Sequence, residues 1–213
     1  MLLTAFLACA GLAGWFLVRP ALAERRREKL RALAFPPQWR EWVERYVPYA
    51  ASLPRDLRWQ LEKHVRVFVS EKRFVGLDGL RITDEIRVAI AAHACLLALN
   101  RGTEIFPNVR RIRVYPGMPG TSSRRGTVVL SWEDVLEAAG ARGAGRNAVI
   151  REFAAQVDSG LQADFVATVS ETFFEKPREM ATLQAPVYEK LRRLYRLDPA
   201  HWSPDRRRAA GDA

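Results

Sequence analysis

Residues 83–100 read Thr-Asp-Glu-Ile-Arg-Val-Ala-Ile-Ala-Ala-His-Ala-Cys-Leu-Leu-Ala-Leu-Asn, a stretch that is apolar over most of its length. Thr83 or Asp84 is a suitable N-cap, because either side chain can accept a hydrogen bond from a free amide of the first turn. The residues that follow are apolar on nearly every side of a helix, and such a helix belongs in a protein interior. The stretch therefore predicts a central core helix that ends near Asn100.

Shorter elements are predicted on both sides of this helix. Apolar residues at spacings of three and four indicate a helix near 38–47 and a longer one after Leu53-Pro54. Residues 111–115 and 127–130 are strand candidates, separated by a turn-rich loop over 116–126. Further helices are predicted over 132–139, 147–158, 162–175 and 187–196, with Pro177 as a stop. The fold class is α+β, mostly helical with a small β-sheet.

Composition and charge limit the classes of function. The chain has 213 residues, 48% of them hydrophobic, which is enough for a real core. Cys9 and Cys95 lie far apart in apolar runs, so neither a disulfide framework nor a thiolate metal cluster is expected. The net charge of +10 resides in residues 19–31 and 190–208, whereas residues 32–189 are nearly neutral. This distribution argues against a domain built around a nucleic-acid groove.

The amino terminus predicts a membrane anchor. Residues 1–18 carry no charge, and as a helix they would span about 27 Å, close to the thickness of a hydrocarbon core. A basic stalk over 19–35 follows, and the positive-inside rule places the body on the cytoplasmic side of the inner membrane. The stalk is either a simple topology signal or a contact for anionic lipid headgroups. Its basic residues are Arg25, Arg26, Arg27, Lys29 and Arg31.

Two other interpretations of residues 1–23 remain open. The small residues at 21–23 are similar to a signal-peptide cleavage site near Ala23, which would give an exported protein. However, no Lys or Arg precedes the apolar run, and arginines follow it directly. The third interpretation is a buried core helix.

Residues 147–158 read Asn-Ala-Val-Ile-Arg-Glu-Phe-Ala-Ala-Gln-Val-Asp. This segment resembles the Mlc titration factor A family of zinc metallopeptidases, in which the corresponding helix carries His-Glu-x-x-His. The resemblance extends in the same order over residues 79–100, 106–116, 126–135, 164–177 and 194–199. It implies a zincin-like metallopeptidase domain over 36–200, followed by a basic and disordered tail over 201–213.

The zinc-ligand positions of the family are changed in this sequence. Two histidines one helical turn apart can reach a single Zn²⁺, and the intervening glutamate serves as general base. Here the resemblance assigns the ligand positions to Arg151, Ala155 and Asp164, and the general base to Glu152. Arginine has no lone pair to donate and alanine has no donor atom. We therefore expect no catalytic residue, no bound zinc and no other cofactor.

The chain is also shortened beside these positions. Family members carry roughly fifty residues between the His-Glu helix and the third ligand, whereas here only residues 159–163 join Asp158 to Asp164. The segment 116–126 is short as well. Loss of ligands and of cleft walls together points to a relaxed or redirected function.

The remaining polar residues have structural interpretations. His93 is expected to be a hydrogen-bonded core residue, and His64 and His201 to be solvated. Trp132 is expected in the core or a wall. Ser170 has no histidine partner nearby, so a serine nucleophile has little support. Glu171 and Glu175 are interpreted as helix-surface and capping charges.

Arg151 has two possible placements. Its guanidinium could take the position of the lost zinc charge and form an ion pair with Asp164, or it could point into solvent.

The main hypothesis is a membrane-anchored, catalytically inactive relative of these peptidases, which binds an unknown protein partner and no nucleic acid. An active zinc-dependent peptidase is the alternative that the resemblance alone implies. A third hypothesis is a module that binds lipid surfaces or anionic polymers through its basic ends.

Overall fold

The computed structural model describes residues 20–101, 106–118, 122–124, 126–140, 146–157 and 160–202. The chain divides into two compact units, residues 1–34 and 35–213. The described part of the first unit is a helix, α1, over residues 20–32, in which the Glu24 carboxylate pairs with Arg27 and Arg31. The predicted anchor over 1–18 lies outside the described residues. Within the described part of the chain, no helix is both long enough and apolar enough to cross a membrane.

The central helix of the body, α4, spans Asp84–Leu96. The Thr83 hydroxyl caps it by accepting a hydrogen bond from the Ile86 amide at 3.3 Å. Every residue from Val88 to Leu96 is buried, which confirms the predicted core helix. The helix ends before Asn100, however, because residues 97–100 form turns. Asn100 has a φ of 54°, a left-handed conformation that asparagine tolerates better than most residues.

Two helices precede α4 and pack against it. The first, α2 (Pro37–Tyr46), begins with a proline at its first helical position, where the missing amide costs nothing. The second, α3 (Arg55–Glu71), buries a stripe of apolar residues at helical spacing. Both helices agree with the predicted ones, and a short 3-10 helix, Pro48–Ser52, lies between them. The buried residues of the stripe are Leu57, Leu61, Val65 and Phe68.

A three-stranded parallel sheet forms the second layer. Its strands are β1 (Arg73–Gly76), β2 (Arg111–Tyr115) and β3 (Thr127–Ser131), in the order β1-β2-β3. The two later strands were predicted and β1 was not, because four residues beside a long helix carry almost no periodic signal. Gly76 is required where β1 ends, since a Cβ there would lie 1.9 Å from the Leu80 carbonyl oxygen.

The described residues of the carboxy-terminal half form five helices. They are α5 (Trp132–Gly140), α6 (Ala148–Ala154), α7 (Ala163–Glu175), α8 (Pro177–Leu183) and α9 (Ala185–Tyr195). Pro177 ends α7 as predicted, but it also starts α8, which the sequence analysis missed. A second short 3-10 helix, Pro199–His201, follows. The Asn100 side-chain amide donates to the Arg196 carbonyl oxygen at 3.0 Å and so joins the ends of α4 and α9.

Candidate functional site

The helix that carries the altered metal-binding positions is α6. Asn147 caps it, since its Oδ1 accepts a hydrogen bond from the Ile150 amide at 3.1 Å. The helix ends at Ala154 rather than near residue 158 as predicted. One side of α6 is buried in the core through Val149, Ile150 and Phe153. The positions Asn147, Arg151 and Ala155 recur every four residues, so they share one face of the helix.

Helix α7 packs against α6 and carries a line of carboxylates. Asp164 lies in the first turn of α7, and Glu171 lies seven residues further, almost two full turns along the same face. Asp164 is exposed, whereas Glu171 is only 7% exposed. Glu175 follows Glu171 by one turn and is half-buried. The prediction that Glu171 and Glu175 are helix-surface charges was therefore wrong for Glu171.

These two glutamates hold Asn147 in place. The Asn147 backbone amide donates to Glu171 Oε1 at 3.0 Å, and its side-chain amide donates to Glu175 Oε1 at 2.9 Å. Asn147 itself is 1% exposed, so all of its hydrogen-bonding groups must find partners within the protein. We refer to Asn147, Glu171 and Glu175 as the Asn147 clamp. The clamp fixes the start of α6 directly onto α7.

Burial changes the protonation of the clamp. It raises the pKa of Glu175 to about 7; the hydrogen bond from Asn147 opposes this rise, and the Glu171 carboxylate adds to it. Burial also raises the pKa of Glu171, against the opposing effects of the Asn147 amide and the Arg151 guanidinium. The Tyr49 hydroxyl faces the same region, and burial followed by the charge of Glu175 raises its pKa. Ionising both glutamates is thus unfavourable.

Arg151 does not pair with Asp164 in this structure. Its guanidinium Nη1 lies 4.0 Å from Glu171 Oε2, and its side chain is 57% exposed. Of the two placements considered from the sequence, the structure therefore shows the solvent-facing one. The side chain reaches solvent, but it also partly neutralises the buried Glu171 carboxylate. Glu171, which lies two turns beyond Asp164 on α7, could not be identified from the sequence as the partner of Arg151. The reason is that the sequence of the connection between α6 and α7 does not fix how the two helices align.

The altered positions nevertheless line one open groove of about 630 Å³, which we call the α6–α7 groove. Glu152 and Asp164 contribute carboxylates to it, and Asn108, Ser122 and Ser123 close the side next to the sheet. The complete lining is Asn108, Ser122, Ser123, Arg151, Glu152, Ala155, Gln156, Val157, Ala163, Asp164 and Ala167.

The groove does not fit a zinc ion. A protein zinc site needs three or four nitrogen, sulfur or oxygen ligands at about 2.0–2.3 Å. Of the positions assigned as ligands, Arg151 is a cation, Ala155 has no donor atom, and Asp164 alone could bind metal. Within the described ranges, no group of three or more His, Cys, Asp or Glu side chains is arranged to hold a metal ion.

The edge strand beside the groove is also occupied. The Val129 amide of β3 donates to Ser123 Oγ at 2.8 Å, and the Arg124 and Thr127 backbones form an antiparallel bridge. An unpaired edge strand can accept an extended peptide as an additional strand. Here the chain itself takes the amide that such a peptide would need.

The histidines lie apart from this groove. His93 is buried, its Nδ1 lies 3.0 Å from the Ala89 carbonyl oxygen, and burial lowers its pKa to about 4, which confirms a core role. His64 is 8% exposed, so the prediction that it is solvated was wrong. Its charged neighbours in sequence, Lys63 and Arg66, lie on other sides of α3, so they do not report its burial. His201 is exposed as predicted and pairs with Asp198 at 3.0 Å.

Ser170 and Trp132 have structural roles. Ser170 Oγ is buried and hydrogen-bonded to the Tyr195 hydroxyl at 2.7 Å. Trp132 is half-buried against the core, with its ring 5.6 Å from that of Tyr46.

Comparisons with known proteins identify several that are similar to this chain. The family model for the glucose-regulated metallo-peptidase M90 matches residues 22–119, which end before α6 begins. The Mlc titration factor A proteins of Klebsiella pneumoniae subsp. pneumoniae and of Enterobacter sp. are each 27% identical to this chain. Each match covers 53% of this chain and 50% of the relative, so the chain matches about half the length of these proteins.

A longer match is to the uncharacterized protein slr2042 of Synechocystis sp., which is 26% identical over 250 residues. It covers 91% of that relative and 84% of this chain. Since 84% of 213 residues is about 179, about 71 of the 250 aligned positions have no counterpart in this chain.

Replacing Glu175 by Gln should remove part of the pH dependence of folding. An acid whose pKa rises on folding from 4.5 to about 7 stabilises the fold at low pH, and this contribution is lost as the pH rises between those values. The loss amounts to up to about 3 kcal/mol. Glu175→Gln keeps an acceptor for Asn147. Urea unfolding should therefore show that the variant is more stable than the wild type at pH 8, and that its free energy of unfolding decreases less between pH 5 and pH 8. Equal pH slopes in the variant and the wild type would contradict this; Asp164→Asn, exposed on the same helix, is the control.

Arg151 should be coupled energetically to Glu171 and not to Asp164. A double-mutant cycle with Arg151→Ala and Glu171→Gln should give a coupling free energy of about 0.5–1 kcal/mol, in the range of exposed ion pairs. The matched cycle with Asp164→Asn should give a value near zero. The two cycles are compared by chemical denaturation at pH 8, and a larger coupling to Asp164 would show that Arg151 pairs with Asp164, the other placement considered from the sequence.

Proposed function

We infer that this chain, a member of the Mlc titration factor A-like family, works by binding a protein and not by hydrolysing one. The observation that carries the proposal is the composition of the α6–α7 groove. Arg151, Ala155 and Asp164 all line it, yet they offer one possible metal ligand among them. Glu152 remains at the position of the general base, but without a metal there is no activated water for it to deprotonate.

The groove itself is suited to binding. It combines an exposed arginine with two carboxylates, so it offers both signs of charge to a polar ligand. The Asn147 clamp fixes one of its walls onto the other, and a preorganised site loses less conformational entropy when a ligand binds. The name Mlc titration factor A, borne by two of the relatives, is compatible with capture of a protein. The identity of that partner is not carried over to this chain.

Zinc analysis distinguishes this proposal from an active peptidase. The full chain, purified after expression with zinc, should contain far less than one zinc per molecule and should not cleave an unfolded protein substrate. The double variant Arg151→His with Ala155→His restores both histidines of the His-x-x-x-His pair beside Asp164. It serves as a positive control and should retain more zinc than the wild type. Stoichiometric zinc in the wild type, lost in Asp164→Ala, together with cleavage that depends on Glu152, would overturn the proposal.

We also propose that residues 1–18 anchor the chain in a membrane, with the body on the cytoplasmic side. The support is the uncharged length of this segment and the basic residues after it. The full chain should remain in the membrane fraction after a high-salt wash, and a variant without residues 1–18 should not. Release of the full chain by salt would contradict a spanning anchor, and an amino terminus that begins after Ala23 would indicate a cleaved signal peptide.

A further inference from the structure

The solvent-facing side of the sheet carries a concentrated positive charge. Arg73 of β1 lies directly opposite Arg111 of β2, and Arg113 lies two residues further along the same face. Arg110 precedes β2 and is exposed like Arg73 and Arg111, whereas Arg113 is half-buried. We call Arg73, Arg110, Arg111 and Arg113 the basic face. The net charge of residues 32–189 is close to zero and does not reveal the basic face, because a sum over the sequence does not show which charges lie close together in space.

This arrangement is unfavourable for the isolated fold. Strands in a sheet lie about 4.8 Å apart, and like charges directly opposite each other repel. Among the residues that the structure describes, no carboxylate forms an ion pair with any of the four arginines. Some arginines elsewhere in the body are paired, such as Arg40 with Glu62 and Arg45 with Glu85. The repulsion on the basic face is thus not relieved by an ion pair within the described body.

A groove of about 390 Å³ opens beside the basic face. It is lined by Pro107, Asn108, Arg110, Arg111, Gly126 and Thr127. Two arginines, an asparagine and a threonine therefore line one open groove, and the guanidinium fork of an arginine can bind a carboxylate through two parallel hydrogen bonds. Asn108 also lines the α6–α7 groove, so the two grooves adjoin.

We propose that the basic face and its groove bind an acidic segment of a partner protein. A concave site between two arginines suits a carboxylate that projects from a polypeptide chain. It suits the flat surface of a lipid bilayer less well. Proteins that bind single-stranded nucleic acid usually combine such charges with exposed aromatic rings on which bases stack. The groove lining has none, and the aromatic rings of the neighbouring strands, Phe74 and Tyr115, are largely buried. This inference concerns a different surface from the proposed function and does not depend on the state of the zinc positions.

The test uses the full chain and a fluorescein-labelled peptide of alternating Glu and Ser. Fluorescence anisotropy at low and at physiological salt should show binding that weakens as salt increases. The double variant Arg73→Gln with Arg111→Gln should raise the Kd by about tenfold or more, since it removes two charge-assisted contacts. Its Tm should equal or exceed that of the wild type, because the cross-strand repulsion is removed.

A matched variant controls for net charge. Lys190→Gln with Arg193→Gln removes the same charge from exposed positions of α9 and should leave the Kd within about twofold. Equal weakening in both double variants would overturn the proposal, because binding would then follow net charge. So would the absence of peptide binding at low salt. Binding to an oligonucleotide or to phosphatidylserine vesicles that depends on Arg73 and Arg111, without peptide binding, would overturn the choice of a protein partner.

Discussion

Burial of α4 is the constraint on which the rest of the body depends. Its residues from Val88 to Leu96 are all buried, so this helix needs other elements around it. Helices α2, α3, α5 and α6 pack against it. An amphipathic helix can leave one side in water, but an all-round apolar helix cannot. The altered metal-binding helix is therefore part of the core, and changes at Arg151 and Ala155 affect its outward face while Val149, Ile150 and Phe153 keep it in place.

The parts of the fold that could be predicted are those with a strong local signal. The cap at Thr83 was recognised because a short polar side chain before an apolar run has one common use. Strand β1 and helix α8 were missed because one has only four residues and the other begins at a proline that also ends its predecessor. The burial of His64 was not predicted because Lys63 and Arg66, its charged neighbours in sequence, indicate solvent exposure. They lie on other sides of α3 from His64.

The candidate site was predictable in its members but not in its contacts. The resemblance identified Arg151, Glu152, Ala155 and Asp164, and these residues do line one groove. The Asn147 clamp was not foreseen, although Glu171 and Glu175 were both interpreted individually. Their contact with Asn147 depends on the register between two helices that are separate in sequence. A possible signal is the pair of glutamates one turn apart on an otherwise apolar helix, since buried carboxylates need donors.

The Asn147 clamp also has a consequence for how the chain can change in length. It ties α6 to α7 through side chains and a backbone amide, so the peptide connection between these helices does not have to hold them together. The entropic cost of closing a flexible loop grows only slowly with its length. Insertions or deletions in this connection can therefore accumulate while the two helices stay in register. The residues at the rim of the groove can thus change during evolution while the core beneath them keeps its fold.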